Sequence, residues 1–242
     1  MNRRIELITV KFNGTLGNNL WQYSVARLFS EKTGQLMISP KIPGFSACKS
    51  LIVGKVKFGR TEIYSGHYLP AFMPNKKTQF NGTFERYENI AGNLDRIRTW
   101  VKSDENPDFL ANEDDLVLSI RRGFNGWPVT LCPSIDYYEK LVKKFDFKTL
   151  WVCTDSPQDP FIQKLMKRIN GASLVTMNAN KQFSFIASAN RVIMAPSTFT
   201  FWATMTGVAS KIYWPRIPAL DFSQTAANWF PFDDPRIEWI EP

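Results

Sequence analysis

The chain has 242 residues and a mass of 27.8 kDa, a length that suits one large domain or two small ones. With 44% hydrophobic and 21% charged residues, and with 19 Phe and 8 Trp to build a core, it is not a disordered polyampholyte. The net charge of +8 is unevenly spread: residues 1–102 hold 16 Lys+Arg against 6 Asp+Glu, residues 103–114 hold five acids and no base, and residues 115–242 hold 14 against 11.

In chain order, IELITVKF (5–12) reads as a strand, NGTLGN (13–18) as a glycine turn and NLWQYSVARLFSEKTG (19–34) as a helix stopped at Gly34. LMISP (36–40) supplies a second strand. Residues 41–78, rich in Pro, Gly and Lys, give no clear element. The lobe resumes with KTQFNGTFER (77–86) and a helix near 92–102. The acidic SDENPDFLANED (103–114) then reads as a linker or crossover.

The second lobe alternates regularly. DLVLSIRR (115–122) is an apolar, β-rich run and PSIDYYEKLVKKF (133–145) is helix-like. TLWVCTD (149–155), DPFIQKLMKRI (159–169), SLVTM (173–177), KQFSFIASA (181–189), RVIMAP (191–196), STFTFWATMTG (197–207) and KIYWP (211–215) continue the pattern. Short apolar strands interleaved with amphipathic helices imply a parallel sheet covered on both faces. Ligands of such sheets sit at the carboxyl ends of strands, here Arg121-Arg122, Thr154-Asp155 and Pro196-Ser197-Thr198.

Several function classes lack raw material. The only histidine, His67, lies in the loop-like SGHYLPAFMP, which excludes a His-rich zinc enzyme and leaves no other histidine for a Ser-His-Asp triad. Cys48, Cys132 and Cys153 are odd in number and far apart, so neither a disulfide scaffold nor a zinc knuckle is expected, and a reducing compartment is the simpler setting. No apolar run reaches the ~18 residues of a membrane span, and the N-terminus has no signal-peptide core. A soluble cytoplasmic protein is expected, with peripheral membrane association as the alternative. The basic first lobe raises a nucleic-acid or membrane-surface binder as a competing class. Its charges are scattered rather than striped, so no nucleic acid is expected as partner.

The motifs each have a plain reading. NGTLGN can bring main-chain amides close to a ligand, although its spacing is not G-x-G-x-x-G and a tight ligand-free turn is simpler. Asn13 and Asn81 each open a glycosylation sequon, which carries little weight without a secretory signal. Arg121 and Arg122 close a buried-looking strand, where forked, permanently charged guanidiniums suit a diphosphate and a surface ion-pair role competes. Ser197 and Thr198 open a helix whose amides can hold phosphate or be simply capped. Asp155 can accept from a nucleobase edge or cap the next helix. No D-x-D occurs, so no metal is expected.

Taken together and in order, these segments resemble the α-1,2-fucosyltransferase family, glycosyltransferase family 11, within the wider GT-B fucosyltransferase-like superfamily. NGTLGNNLWQYSVARLFSEKTG (13–34) resembles its G-x-L-G-N-Q opening, FNGTFERYENIAGNLDRIR (80–98) its G-Y-F-Q segment and SIRRGFN (119–125) its H-x-R-R-G-D motif. PSIDYYEKLV resembles its P-x-x-Y-Y helix, WVCTDSPQ (151–158) its strand ending in Ser/Thr-Asp-Asp, and FSFIASANRVIMAPSTFTFWATM (183–205) its N-S-S-F-S-W-W block.

The resemblance implies an α/β, GT-B type fold: two facing Rossmann-like lobes with parallel sheets and a small N-terminal lobe. The expected division is residues 1–105 as the acceptor-side lobe and 106–220 as the nucleotide-sugar lobe, with 221–242 as a tail packing back on the first lobe. It also implies inverting, metal-independent transfer of a deoxyhexose, fucose above all, from a nucleotide diphosphate to a glycan hydroxyl, with no cofactor beyond the co-substrate GDP-fucose. By motif position, Arg121 binds the β-phosphate as the catalytic residue. Arg122, Asp155, Ser197, Thr198, Phe199, Gly17, Asn18 and Ser119 become donor-binding positions, and Glu85, Asp136 and His67 candidate bases. Ser119 replaces the family histidine, Phe124 an aspartate, Asn19 a glutamine and Ser156 a second aspartate. UDP- or GDP-linked rhamnose or hexose is therefore the alternative donor, and a non-catalytic glycan-binding module the alternative class.

Overall fold

A computed structural model describes residues 7–51, 61–64, 77–122, 133–216, 231 and 233–241. The described chain divides after Asp104 into two compact units.

In the first unit, β1 (Leu7–Val10) runs into α1 (Leu16–Thr33), which ends where Gly34 adopts φ 71° and returns its amide to Ser30 O. β2 (Leu36–Ile38), β3 (Thr61–Tyr64) and β4 (Lys77–Phe80) complete an all-parallel sheet of order β2-β1-β4-β3. The lobe closes with a 3₁₀ turn, Tyr87–Asn89, and the short α2 (Leu94–Arg98). Arg27 of α1 lies 4.0 Å over the Trp100 ring and bonds the Tyr23 hydroxyl, the Ala47 carbonyl and Glu31. It thereby ties residues 47–49 and the α2 end to one helix. Strand β3 lies within the stretch whose composition shows no element.

The second unit holds β5 (Leu116–Ile120), α3 (Ile135–Val142), β6 (Leu150–Thr154), α4 (Pro160–Arg168), β7 (Ala172–Leu174), α5 (Ala179–Ser188), β8 (Arg191–Ile193), α6 (Thr198–Thr206), β9 (Lys211–Pro215) and β10 (Ile237–Ile240). All strands are parallel, in the order β10-β9-β8-β5-β6-β7. This is the doubly wound arrangement in which the chain builds outward one way from β5 and then the other way. Strand β5 is buried along its whole length, as expected of a central strand covered on both faces. Its Leu116, Leu118 and Ile120 join Leu141, Leu150, Val152, Ile162 and Leu165 in one core under α3 and α4. The two-parallel-sheet α/β architecture expected from the alternation is the one observed.

The acidic stretch, expected as a linker or crossover, leaves the first unit after Asp104 and belongs from Glu105 onward to the second. The Glu105 carboxylate accepts from Asn178 and Asn180 at the start of α5 (2.9 and 2.8 Å), and Asp108 pairs with Lys181. Phe109 packs 4.8 Å from the Trp151 ring and 5.3 Å from Phe185. The acids offset the positive end of a helix, which composition cannot distinguish from exposure to water. The strap is fastened at its far end by Asp115, whose carboxylate takes Thr149 N, Trp151 Nε1 and Asn112 N. Burial works against that charge, but these hydrogen bonds hold its carboxyl below the ordinary range. Within the tail expected against the first lobe, Ile237–Ile240 pairs in parallel with β9 as an edge strand of the second sheet.

Cys48 and Cys153 are buried free thiols; burial raises both, Cys48 to about 12, which leaves them protonated and unreactive. Cys132 lies outside the described residues. None of the described helices is long and apolar enough to cross a membrane.

Gly207, where α6 ends, sits against α5: a Cβ there would lie 2.4 Å from Ala187 O, and Val208 N already bonds that carbonyl at 2.9 Å. Gly207→Ala must push two backbones apart. It should cost about 2 kcal/mol and lower the melting temperature by roughly 4–8 °C. An unchanged thermal unfolding curve would show that α5 and α6 separate there at no cost.

Candidate functional site

The strand order reverses between β5 and β8, the place where an open parallel sheet leaves a crevice at its carboxyl edge. Val117 is in register with Val192 and Leu118 with Ile193, so Arg121, three residues further on, comes level with Pro196, next to the start of α6. A buried bond holds this arrangement: Ser119 Oγ and Thr200 Oγ1 are 2.7 Å apart, joining β5 to the first turn of α6. Ser119 is only 6% exposed. Its hydroxyl lies inside the fold, bonded to Thr200.

The beginning of α6 carries no side-chain cap. Ser197 is extended (φ −144°, ψ 132°) and its side chain makes no capping bond; the first turn contains no acid. The Phe201 amide bonds Ser197 O at 2.9 Å, so the amides of Thr198, Phe199 and Thr200 precede the helical ladder and have no acceptor within it. The Phe199 ring packs edge-on against Phe183 of α5, with centroids 5.7 Å apart. What Phe199 offers a ligand is its main chain.

The other glycine-turn helix start differs. Asn18 Oδ1 accepts from Thr15 N and Thr15 Oγ1 (2.9 and 3.0 Å), and Thr15 reciprocates in a capping box. Gly14, at φ 85°, has Asn18 Oδ1 where its Cβ would be, at 2.7 Å. The NGTLGN turn, with Gly17 buried inside it, is thus closed by its own side chains, as the simpler reading expects. Asn18 also donates to Glu85, and Asn13 Nδ2 donates to Asn81 Oδ1 at 2.7 Å. These residues follow β1 and β4, the reversal point of the first sheet. One candidate donor contact and one candidate base are therefore brought together within the first unit.

The two arginines part company. Arg121 Nη1 lies 3.2 Å from Asp155 Oδ2, with both side chains about four-fifths buried (19% and 20% exposed). Arg122 Nε instead pairs with Asp159 at 3.1 Å, and its guanidinium lies 4.0 Å over the Phe161 ring. Arg122, expected to bind donor, is committed to α4, where a stacked and paired guanidinium is the more stable arrangement. The Oδ1 of Asp155 accepts the Arg122 amide at 3.0 Å, and its other oxygen faces Arg121, so the carboxylate ties the end of β6 to the end of β5. It does not cap α4; Asp159 does, accepting Phe161 N at 2.7 Å.

Among the candidate bases, Asp136 is engaged by Arg168 at 2.7 Å on the exposed α3–α4 surface. His67 lies outside the described residues, as do Gly123 and Phe124. Sequence reasoning missed Asp159 and Thr200. Asp159 was detectable, since a capping acid followed by proline at the first helical position is a helix-start signature; nothing in the spacing marks Thr200. Among the described residues no three His, Cys, Asp or Glu side chains converge as a metal site.

Neither a family model nor a curated protein matches the sequence. Solved structures do match by fold. A fucosyltransferase NodZ from Bradyrhizobium aligns with a TM-score of 0.54 at 11% identity, over 87% of this chain and 95% of that chain. NodZ α-1,6-fucosyltransferase co-crystallised with GDP aligns with a TM-score of 0.51 at 12% identity, over 87% and 94%. At these identities the fold is what is shared.

Proposed function

We propose that the chain is a fucosyltransferase-like glycosyltransferase that seats a nucleotide diphosphate sugar at the β5–β8 reversal of its second unit. A single observation carries this reading: the Ser119–Thr200 bond ties the end of β5, two residues before Arg121, to the first turn of α6, whose start is uncapped and free of acid. A guanidinium and three main-chain amides there suit a diphosphate. The family resemblance adds the finer reading of GDP-fucose as donor, a glycan hydroxyl as acceptor and inversion at the anomeric carbon. That one fold neighbour was crystallised with GDP supports a guanine nucleotide.

In the proposed reaction the acceptor oxygen attacks the anomeric carbon as the bond to the diphosphate breaks. Negative charge grows on the departing phosphate, and Arg121 with the 198–200 amides neutralises it without a metal. The buried Ser119 leaves the donor pocket without the family histidine, and on that observation a UDP- or GDP-linked rhamnose or hexose is the second reading.

A thermal-shift panel of GDP, UDP, ADP and dTDP tests the reading. The cognate diphosphate at about 100 times its Kd should stabilise the chain by roughly 2.7 kcal/mol, or roughly 5–10 °C. If none of the four moves the melting temperature, the donor site is misassigned.

A further inference from the structure

The proposed chemistry leaves one charge at the site unexplained. Arg121, the side chain assigned to the diphosphate, already faces a carboxylate at 3.2 Å. Asp155 is held from several sides. Its Oδ1 takes the Arg122 amide, and the residues just before each arginine and aspartate, Ile120 and Thr154, are paired partners of neighbouring strands. The Arg122 side chain is itself pinned by Asp159 and Phe161. The Arg121 guanidinium sits at the end of a longer and more flexible side chain than the Asp155 carboxylate.

Resting on the donor site proposed above, we infer that Asp155 is a built-in competing counter-ion. It positions Arg121 while the site is empty and weakens the grip on the spent nucleoside diphosphate, so that the product leaves. The charge difference between donor and product gives this direction. In the donor the diphosphate is esterified at both ends. Once the sugar has gone, the terminal phosphate carries a further negative charge. A fixed carboxylate a few ångströms away repels that form more strongly than the intact donor. The same contact that orders the guanidinium thus favours exchange of product for fresh donor.

The test is titration calorimetry of the full chain with GDP and with UDP, comparing wild type with Asp155→Asn and Asp155→Ser. Both variants keep an acceptor for the Arg122 amide and remove the charge, and the serine variant serves if the asparagine variant does not fold. Diphosphate affinity should rise about tenfold, with the gain shrinking as salt is added. Product inhibition should deepen and kcat fall more than KM. A merely structural Asp155 would move affinity the other way. Unchanged or weaker binding in the folded variants, where wild type binds, overturns the counter-ion role alone. Wild type that binds neither of these nor ADP nor dTDP overturns the donor site and this inference with it.

Discussion

Arg121→Ala should reduce sugar transfer by about 10²–10³-fold, the usual cost of losing one preorganised contact to charge that develops in a transition state. With no other described cation assigned to the departing phosphate, the amides at the start of α6 would carry that charge unaided. The same substitution strips Asp155 of its counter-charge, and a largely buried polar group left without its partner costs roughly 1–3 kcal/mol. Lost activity alone could then reflect a weakened fold. The double variant Arg121→Ala/Asp155→Asn separates the two effects. It should recover most of the melting temperature, because no lone carboxylate remains, and none of the transfer. If single-turnover assays find either folded variant near wild-type rate, Arg121 is not the leaving-group cation.

The second large effect comes from charge placed at the start of α6. Ser197→Asp supplies both things this helix lacks, a side-chain cap and an acid in the positive field of its amides. Stability should rise by about 0.5–1 kcal/mol. Donor affinity should fall about a hundredfold or more, since the new carboxylate occupies the amides and repels a diphosphate at a few ångströms. Opposite signs in calorimetric stability and nucleotide binding are hard to obtain by any route except a shared anion seat. An unimpaired affinity for the cognate diphosphate in Ser197→Asp would place the phosphates elsewhere.

Much of the second unit is legible because its two periods are clean. Strand β5 and strand β6 appear as short apolar runs, and α3 and α4 as amphipathic helices with a serine and an aspartate cap. From that alternation the parallel sheet and its reactive edge follow. What could not be read is how the polar groups at the edge divide their bonds. Arg121 and Arg122 are neighbours of one type in sequence, and only the fold shows that one leans on Phe161 and Asp159 while the other faces Asp155. Ser119 looks like a site residue by motif position, yet strand alternation turns it toward Thr200. In the first unit, strand β3 sits among prolines, glycines and lysines, and its place is set by pairing with β4, a long-range contact without local signature. The helix expected near 92–102 narrows to Leu94–Arg98 because Trp100 and Val101 turn inward as core residues.

The strap that begins at Glu105 bears on how this protein can be dissected. Anyone wishing to produce the second unit alone would, on composition, start at the first strand near Asp115 and discard the acidic stretch as dispensable. That cut would strip the aromatic cover from Trp151 and leave the opening turn of α5 without its carboxylate. The second unit begins at Glu105, and a fragment begun later would emerge with a sticky flank.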